Sequence, residues 1–85
     1  MNTILFSHKA REDFLNLETT TKKSIAKHII KMETNPPRKR LRNTNFYVEQ
    51  AGQGRIVCAI FANRIEILRI FSIHKEYERW YKRLD

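Results

Sequence analysis

Residues 55–61 read RIVCAIF and residues 65–72 read IEILRIFS, with the three residues Ala-Asn-Arg between them. Runs of β-branched and aromatic residues on both sides of a short connection predict two antiparallel strands. Asn63 suits the positive φ that a tight connection between strands requires. The first run is apolar on both faces after Arg55, which is typical of a central strand.

A third strand is predicted on the N-terminal side of this pair. Residues 46–50 read FYVEQ, and the turn Ala51-Gly52-Gln53-Gly54 joins them to the central strand. This turn holds both glycines of the protein. Three strands joined by two short turns form an antiparallel meander.

Two amphipathic helices are predicted before the meander. Each carries an apolar stripe at positions i, i+4 and i+7: Ala10, Phe14 and Leu17 in the first, and Ile25, Ile29 and Met32 in the second. Asn35-Pro36-Pro37 ends the second helix, because a residue that precedes proline disfavours the helical conformation. The two helices therefore form a hairpin whose apolar stripes need a surface to cover.

Both ends of the chain add one more element. Residues 3–6, TILF, predict a short strand, and residues 74–85 predict a helix with one aromatic side. The resulting order, β-α-α-β-β-β-α, predicts an α+β fold in which the helical hairpin packs on a small, mostly antiparallel sheet. We expect residues 1–85 to form one domain, since a chain of 85 residues has room for a single core.

The charge of the chain indicates the class of its partners. Seventeen Lys and Arg against nine Asp and Glu give a net charge of +8. Such an excess favours polyanions such as RNA, DNA, an acidic protein or anionic lipid. The alternative interpretation is a basic surface that only contacts solvent.

Several classes of protein are disfavoured by the composition. Cys58 is the only cysteine, so it has no partner in the chain for a disulfide bond. His8, His28 and His74 lie far apart and do not have the spacing of zinc ligands. We therefore expect no metal and no small-molecule cofactor. The sequence has neither an apolar run of membrane-spanning length nor the pattern of an export signal, so we expect a soluble cytoplasmic protein without a membrane partner.

Two features of the sequence could bind phosphate groups. After the prolines, four cations lie within five residues: Arg38, Lys39, Arg40 and Arg42. Such a loop either binds RNA through phosphate contacts or is simply solvated. Two more arginines lie on strands, Arg55 and Arg69, and the period of two places Arg69 on one face with Ile65, Ile67 and Phe71. Each of these arginines either presents its guanidinium to a phosphate or extends from the sheet edge to solvent.

The C-terminal helix brings a histidine next to tyrosines. His74, Tyr77 and Tyr81 lie at positions i, i+3 and i+7, on one side of the helix. With an arginine nearby, this set suits phosphodiester cleavage: histidine protonates the leaving oxygen, arginine neutralises the phosphorane, and tyrosine orients the substrate or stacks on a base. The alternative role for the aromatic side chains is to dock the helix on the sheet.

Taken together, these segments resemble the RelE/ParE superfamily of type II toxins. The resemblance rests on residues 7–17 (SHKAREDFLNL), on the NPP sequence with the basic loop that follows it, and on residues 47–81. Within the last segment, residues 73–81 (IHKEYERWY) are similar to the HigB and YoeB-like branches. The resemblance covers nearly the whole chain.

The resemblance implies a small basic ribonuclease that enters the ribosomal A site and cuts mRNA. The 2′-hydroxyl of the RNA attacks the adjacent phosphate in that family, so no metal is needed. It also implies an acidic cognate antitoxin. By position, Arg55 would face the scissile phosphate and His74 would be the general acid, with Lys75 near it and either Tyr77 or Tyr81 as the aromatic partner.

The sequence departs from the family pattern before the glycine turn. Some members have lysines there, whereas this chain has Tyr47-Val48-Glu49-Gln50. Glu49 is therefore a candidate general base, and the basic loop a candidate source of the missing cations. Two other functions stay open: a ParE-like toxin that inhibits DNA gyrase, and a non-catalytic relative that only binds nucleic acid.

Overall fold

A computed structural model describes residues 1–84. Five strands and three helices follow one another along the chain: β1 (Thr3–Phe6), α1 (His8–Leu15), α2 (Thr19–Met32), β2 (Lys39–Arg40), β3 (Phe46–Ala51), β4 (Gly54–Phe61), β5 (Arg64–Phe71) and α3 (His74–Lys82). The strands form one sheet in the order β1-β5-β4-β3-β2. Only the β1–β5 pair is parallel, so the predicted mostly antiparallel α+β fold is confirmed.

The strand β2 is an addition to the predicted order. The basic segment after the prolines was predicted to be a loop, but Lys39 pairs with Val48 and Arg40 pairs with Tyr47. A strand of two residues is too short to show the alternation of apolar and polar residues that marks a strand in a sequence. It forms because the edge of β3 offers backbone partners.

Helices cover both faces of the sheet, and we name the faces after them. The hairpin face lies under α1 and α2, whose buried residues Ala10, Ile25 and Met32 contact Ile56 and Cys58 of β4. The α3 face lies under α3 and holds a second, smaller cluster of buried residues: Leu41, Val48, Val57, Phe71 and Tyr77. Because successive residues of a strand point to opposite faces, the central strand supplies both clusters.

A β-bulge in β5 changes the face on which its last residues lie. Val57 pairs with Arg69, whereas the next residue, Cys58, pairs with Ile67, so Leu68 has no partner. The predicted period of two is therefore broken, and Arg69 lies on the α3 face instead of sharing a face with Ile65 and Ile67. An inserted residue shifts every later side chain to the other face.

Among residues 1–84, no helix is both long enough and apolar enough to cross a membrane.

Candidate active site

Arg55 lies on the α3 face at one end of the sheet. It is the second residue of β4, and the turn before it contains Gly52 with a φ of +62°. The Arg55 Nη1 atom donates hydrogen bonds to the carbonyl oxygens of Gly54, at 2.9 Å, and of Gly52, at 3.3 Å. Among residues 1–84, the other two guanidinium nitrogens donate no hydrogen bond. One side of the guanidinium is therefore held by the turn, and the other side can bind a phosphate.

Close packing at Gly54 brings the end of β5 next to Arg55. A Cβ atom on Gly54 would lie 3.0 Å from the carbonyl oxygen of Phe71. Phe71 is also the residue that pairs with Arg55 across the two strands. Because α3 begins three residues after Phe71, the first turn of α3 lies at the same end of the sheet as Arg55.

One side of α3 presents a row of three rings, which we call the α3 row: His74, Tyr77 and Tyr81. The ring centroids of His74 and Tyr77 are 5.8 Å apart, and those of Tyr77 and Tyr81 are 6.0 Å apart. Tyr77 is buried against Phe71, whereas His74 is exposed, with its Nε2 atom 3.6 Å from Glu78 Oε1. The imidazole can thus exchange protons with solvent or substrate while its helix stays packed on the sheet.

The surroundings of Tyr77 alter its titration. Burial raises the pKa of Tyr77 above its usual 10.0, the neighbouring Tyr81 raises this pKa further, and the positive charge of Arg55 lowers it. Arg55 pairs with Phe71 across β4 and β5, and the Tyr77 ring lies 6.1 Å from the Phe71 ring, so the guanidinium and the phenol lie at the same end of the sheet. At neutral pH the phenol stays protonated and can donate a hydrogen bond to a phosphate oxygen.

These groups can support phosphodiester chemistry. The sequence predicted a site of Arg55 and His74 with either Tyr77 or Tyr81 as the aromatic partner. In the structure both tyrosines lie in the row that His74 begins, and Tyr77 packs against Phe71, the strand partner of Arg55. A guanidinium can neutralise charge on a phosphorane, and an imidazole can protonate a leaving oxygen. Lys75 follows His74 and is exposed at the start of α3.

Glu49 does not belong to this site, and the hypothesis that it is the base there is wrong for a geometric reason. Its neighbour Val48 lies in the α3-face cluster, so the side chain of Glu49 lies on the hairpin face. There its Oε2 atom is 3.2 Å from Nδ1 of His28 in α2. The sheet separates Glu49 from the α3 row.

Arg69 and Arg40 make their own contacts within the protein. Arg69 is bound by Asp13 of α1. In the basic segment, Lys39 lies on the α3 face beside Val48, whereas Arg40 lies on the hairpin face beside Tyr47. All four cations of the segment are exposed. The Arg40 side chain donates hydrogen bonds within the protein, to the backbone oxygen of Thr44 and to Oδ1 of Asn45.

Three residues around the site were not found from the sequence. Gln50 pairs with Arg55 across the Gly52-Gln53 turn, which places the two side chains on one face. Glu78 contacts His74, and Asp13 binds Arg69. Of these three, only the pairing of Gln50 with Arg55 could have been predicted from the sequence, because a two-residue turn fixes the register of the hairpin. Among residues 1–84, no group of three or more His, Cys, Asp or Glu side chains could hold a metal ion.

Comparison with known proteins found relatives only among solved structures. No protein-family model matches the sequence, and no curated protein matches it significantly. The structure is similar to the isolated RelE toxin of Escherichia coli, with a TM-score of 0.76, 15% identity and 100% of each chain covered. It is also similar to the YoeB dimer of Staphylococcus aureus, with a TM-score of 0.66, 23% identity, and 82% of this chain and 94% of the other covered.

A third similar structure is a complex. This is the RelB–RelE antitoxin–toxin complex of Methanococcus jannaschii, with a TM-score of 0.71, 17% identity, and 89% of this chain and 96% of the other covered. At these identities the similarity establishes the fold. The chain has the RelE fold, as its sequence resemblance predicted.

Proposed function

We propose that this protein is the toxin of a type II toxin–antitoxin pair and that it cuts mRNA on the ribosome. One observation carries the proposal: on a RelE fold, Arg55 pairs with Phe71, against which Tyr77 packs, at the end of the sheet where His74 begins α3. The net charge of +8 supports a polyanionic substrate. We place the protein in the cytoplasm, where it would meet ribosomes.

The proposed reaction uses the RNA as its own nucleophile. The 2′-hydroxyl gives up its proton to surrounding water and its oxygen attacks the adjacent phosphorus. The bond from phosphorus to the 5′-oxygen breaks, and a 2′,3′-cyclic phosphate and a 5′-hydroxyl form. Arg55 neutralises the negative charge of the phosphorane, and Tyr77 donates a hydrogen bond to one of its oxygens. His74 gives its proton to the 5′-oxygen. Since the nucleophile is part of the substrate, we expect no metal requirement for the chemical step.

An acidic antitoxin is the proposed protein partner. An excess of positive charge attracts an acidic segment, and complementary charge favours rapid and specific association. The structural relatives support this partner, because one of them is an antitoxin–toxin complex.

The test is cleavage of ribosome-bound mRNA by the wild type, Arg55→Ala and His74→Ala. Loss of the phosphorane cation or of the general acid lowers the cleavage rate by about 10²–10⁴. Arg11→Ala and His8→Ala are matched controls, since both residues are exposed on α1. We expect both controls to cleave at the wild-type rate.

The nucleophile is tested on the substrate. An mRNA with a 2′-deoxy sugar at the cleaved position should resist the wild type, and the normal product should end in a 2′,3′-cyclic phosphate or a 3′-phosphate. Cleavage of the deoxy substrate contradicts attack by the 2′-hydroxyl. A wild type that leaves ribosomal mRNA intact and inhibits DNA gyrase contradicts the proposed function and favours the ParE-like alternative.

A further inference from the structure

A cleft of about 360 Å³ lies on the other flank of α3, away from the α3 row. Its walls are the end of α1, the end of β5 and the side of α3 that carries Glu76, Arg79, Trp80 and Arg83. These four positions follow i, i+3, i+4 and i+7, whereas His74 and Tyr81 lie on the opposite stripe. The cleft is therefore separate from the candidate active site, although both use α3.

One wall of the cleft is fixed by an ion pair. Arg69 Nε lies 2.8 Å from Asp13 Oδ2, and the Arg69 guanidinium carbon lies 4.7 Å from the centre of the Phe71 ring. The carboxylate of Asp13 is thus engaged by Arg69. Glu76, the other acidic residue of the wall, accepts a hydrogen bond from Ser72 Oγ at 3.0 Å.

The other two arginines leave the cleft with a positive charge. Arg79 and Arg83 are exposed one helical turn apart, and like charges at this spacing repel each other. Among residues 1–84, no carboxylate lies within ion-pair distance of either. An anion bound between the two guanidinium groups would relieve this repulsion. The partial negative charge at the C-terminal end of α3 does not take the place of such an anion.

Trp80 adds a surface that suits a nucleobase. Its indole is half-buried, with its centroid 5.5 Å from that of Phe71, and one part of it lines the cleft. Stacking of a base on an aromatic side chain is the usual way to hold single-stranded RNA. The carboxylate of Glu76 could accept a hydrogen bond from a base N–H group. The volume falls in the range, from about 300 Å³, that small-ligand pockets occupy.

We propose that this cleft binds one nucleotide of single-stranded RNA, with the base against Trp80 and the phosphate on Arg79 and Arg83. RNA as the physiological ligand rests on the proposed function. The preference of the cleft for a nucleotide does not rest on that function, because an aromatic wall beside two guanidinium groups recognises a base and a phosphate together.

Trp80 is the only tryptophan of the protein and reports on the cleft directly. Titration of the isolated protein with a single-stranded 2′-O-methyl hexanucleotide, which cannot be cleaved, should quench its fluorescence. An abasic oligomer of equal length and poly-glutamate should cause little quenching. Equal quenching by the abasic oligomer overturns the base contact, and equal quenching by poly-glutamate indicates an acidic protein ligand instead.

The arginines are tested by a charge-matched pair of variants. Arg79→Gln with Arg83→Gln should weaken hexanucleotide binding about tenfold or more. It should also reduce the slope of log affinity against log salt by about 0.7, which corresponds to one single-strand phosphate contact. Lys27→Gln with Lys31→Gln removes the same charge from exposed positions on α2 and should have little effect. Equal weakening by both pairs overturns the site.

This assay is independent of the ribosome. If the arginine dependence holds but the wild type leaves ribosomal mRNA intact, the cleft stands and the proposed function fails. If the wild type cuts mRNA but RNA does not quench Trp80, the cleft proposal fails alone.

Discussion

Asp13 of α1 binds both the side chain of Arg69 and the backbone next to it in β5. The carboxylate is 2.8 Å and 3.4 Å from the Nε and Nη2 atoms of Arg69, and it accepts a hydrogen bond from the Ile70 N–H at 3.0 Å. On the other side of Arg69, Ser7 Oγ donates to the carbonyl oxygen of Leu68, the unpaired bulge residue. The bulge is therefore held by α1, and backbone groups that the sheet leaves unpaired there find partners.

Asp13→Ala should lower the free energy of unfolding by about 2–3 kcal/mol, because it leaves a half-buried guanidinium and a backbone N–H without their acceptor. The Asp13 side chain is only 12% exposed. Glu12→Ala is the control, since Glu12 is 52% exposed and its contacts with Lys9 and His8 are at 3.8–3.9 Å. Urea denaturation should show a change below about 0.5 kcal/mol for the control. Equal destabilisation by both substitutions contradicts the role of Asp13.

The four cations of the basic segment should have two different roles: three should bind RNA, and Arg40 should stabilise the fold. Replacing Arg38, Lys39 and Arg42 by serine should reduce the slope of log affinity against log salt for single-stranded RNA by about 2, the value for three phosphate contacts. Arg40→Ser should instead lower stability by about 1 kcal/mol, because Arg40 donates two hydrogen bonds within the turn that follows β2. The measurements are salt-dependent binding titrations and urea denaturation. An unchanged slope in the triple variant shows that the segment is only solvated.

The turn between β4 and β5 contains an alanine in a left-handed conformation. Ala62 has a φ of 55°, whereas Asn63, which the sequence favoured for positive φ, does not adopt it. A positive φ is a conformation that glycine adopts without the steric cost that a side chain adds. Ala62→Gly should therefore stabilise the protein by about 0.5–1 kcal/mol, since relief of a strain of about 1–2 kcal/mol exceeds the entropic cost of glycine. Asn63→Gly lacks this relief and should destabilise it.

Structural features that rest on a repeating pattern were predicted correctly from the sequence, whereas features that depend on a single residue were missed. The apolar stripes and the meander were predicted because each repeats over several residues. The bulge was missed, because Leu68 is one apolar residue in an apolar run and nothing in its chemistry marks it as unpaired. For the site, Arg55 and the α3 row were predicted from their positions at strand and helix ends. Glu49 was assigned wrongly, although the alternation of side chains from Val48 places it on the other face.

Cys58 should be unreactive at moderate pH in the folded protein. Burial in the hairpin-face core raises the pKa of its thiol from 9.0 to about 12, and the negative charge of Glu49 adds to the effect. Because the folded pKa is raised, the contribution of this thiol to stability is complete below about pH 9 and is lost as the pH rises toward 12. A thiol reagent at pH 8 should label the protein only after urea unfolds it, and Cys58→Ala should flatten the fall in stability above pH 9. Fast labelling of the folded protein contradicts this burial.

The proximity of Arg55 to Tyr77 can be measured without any RNA. Burial and Tyr81 raise the pKa of Tyr77, and the positive charge of Arg55 opposes them. Arg55→Gln should therefore raise the pKa of Tyr77 further, whereas Arg55→Lys keeps the charge and should move this pKa less. The measurement is a pH titration of the Tyr77 ring signals by NMR. Arg42→Gln removes an equal charge from an exposed position in the basic segment and should leave the Tyr77 titration unchanged. If Arg42→Gln and Arg55→Gln shift the pKa of Tyr77 equally, the shift comes from the net charge of the protein. Arg55 is then too far from Tyr77 for both side chains to bind the same phosphate.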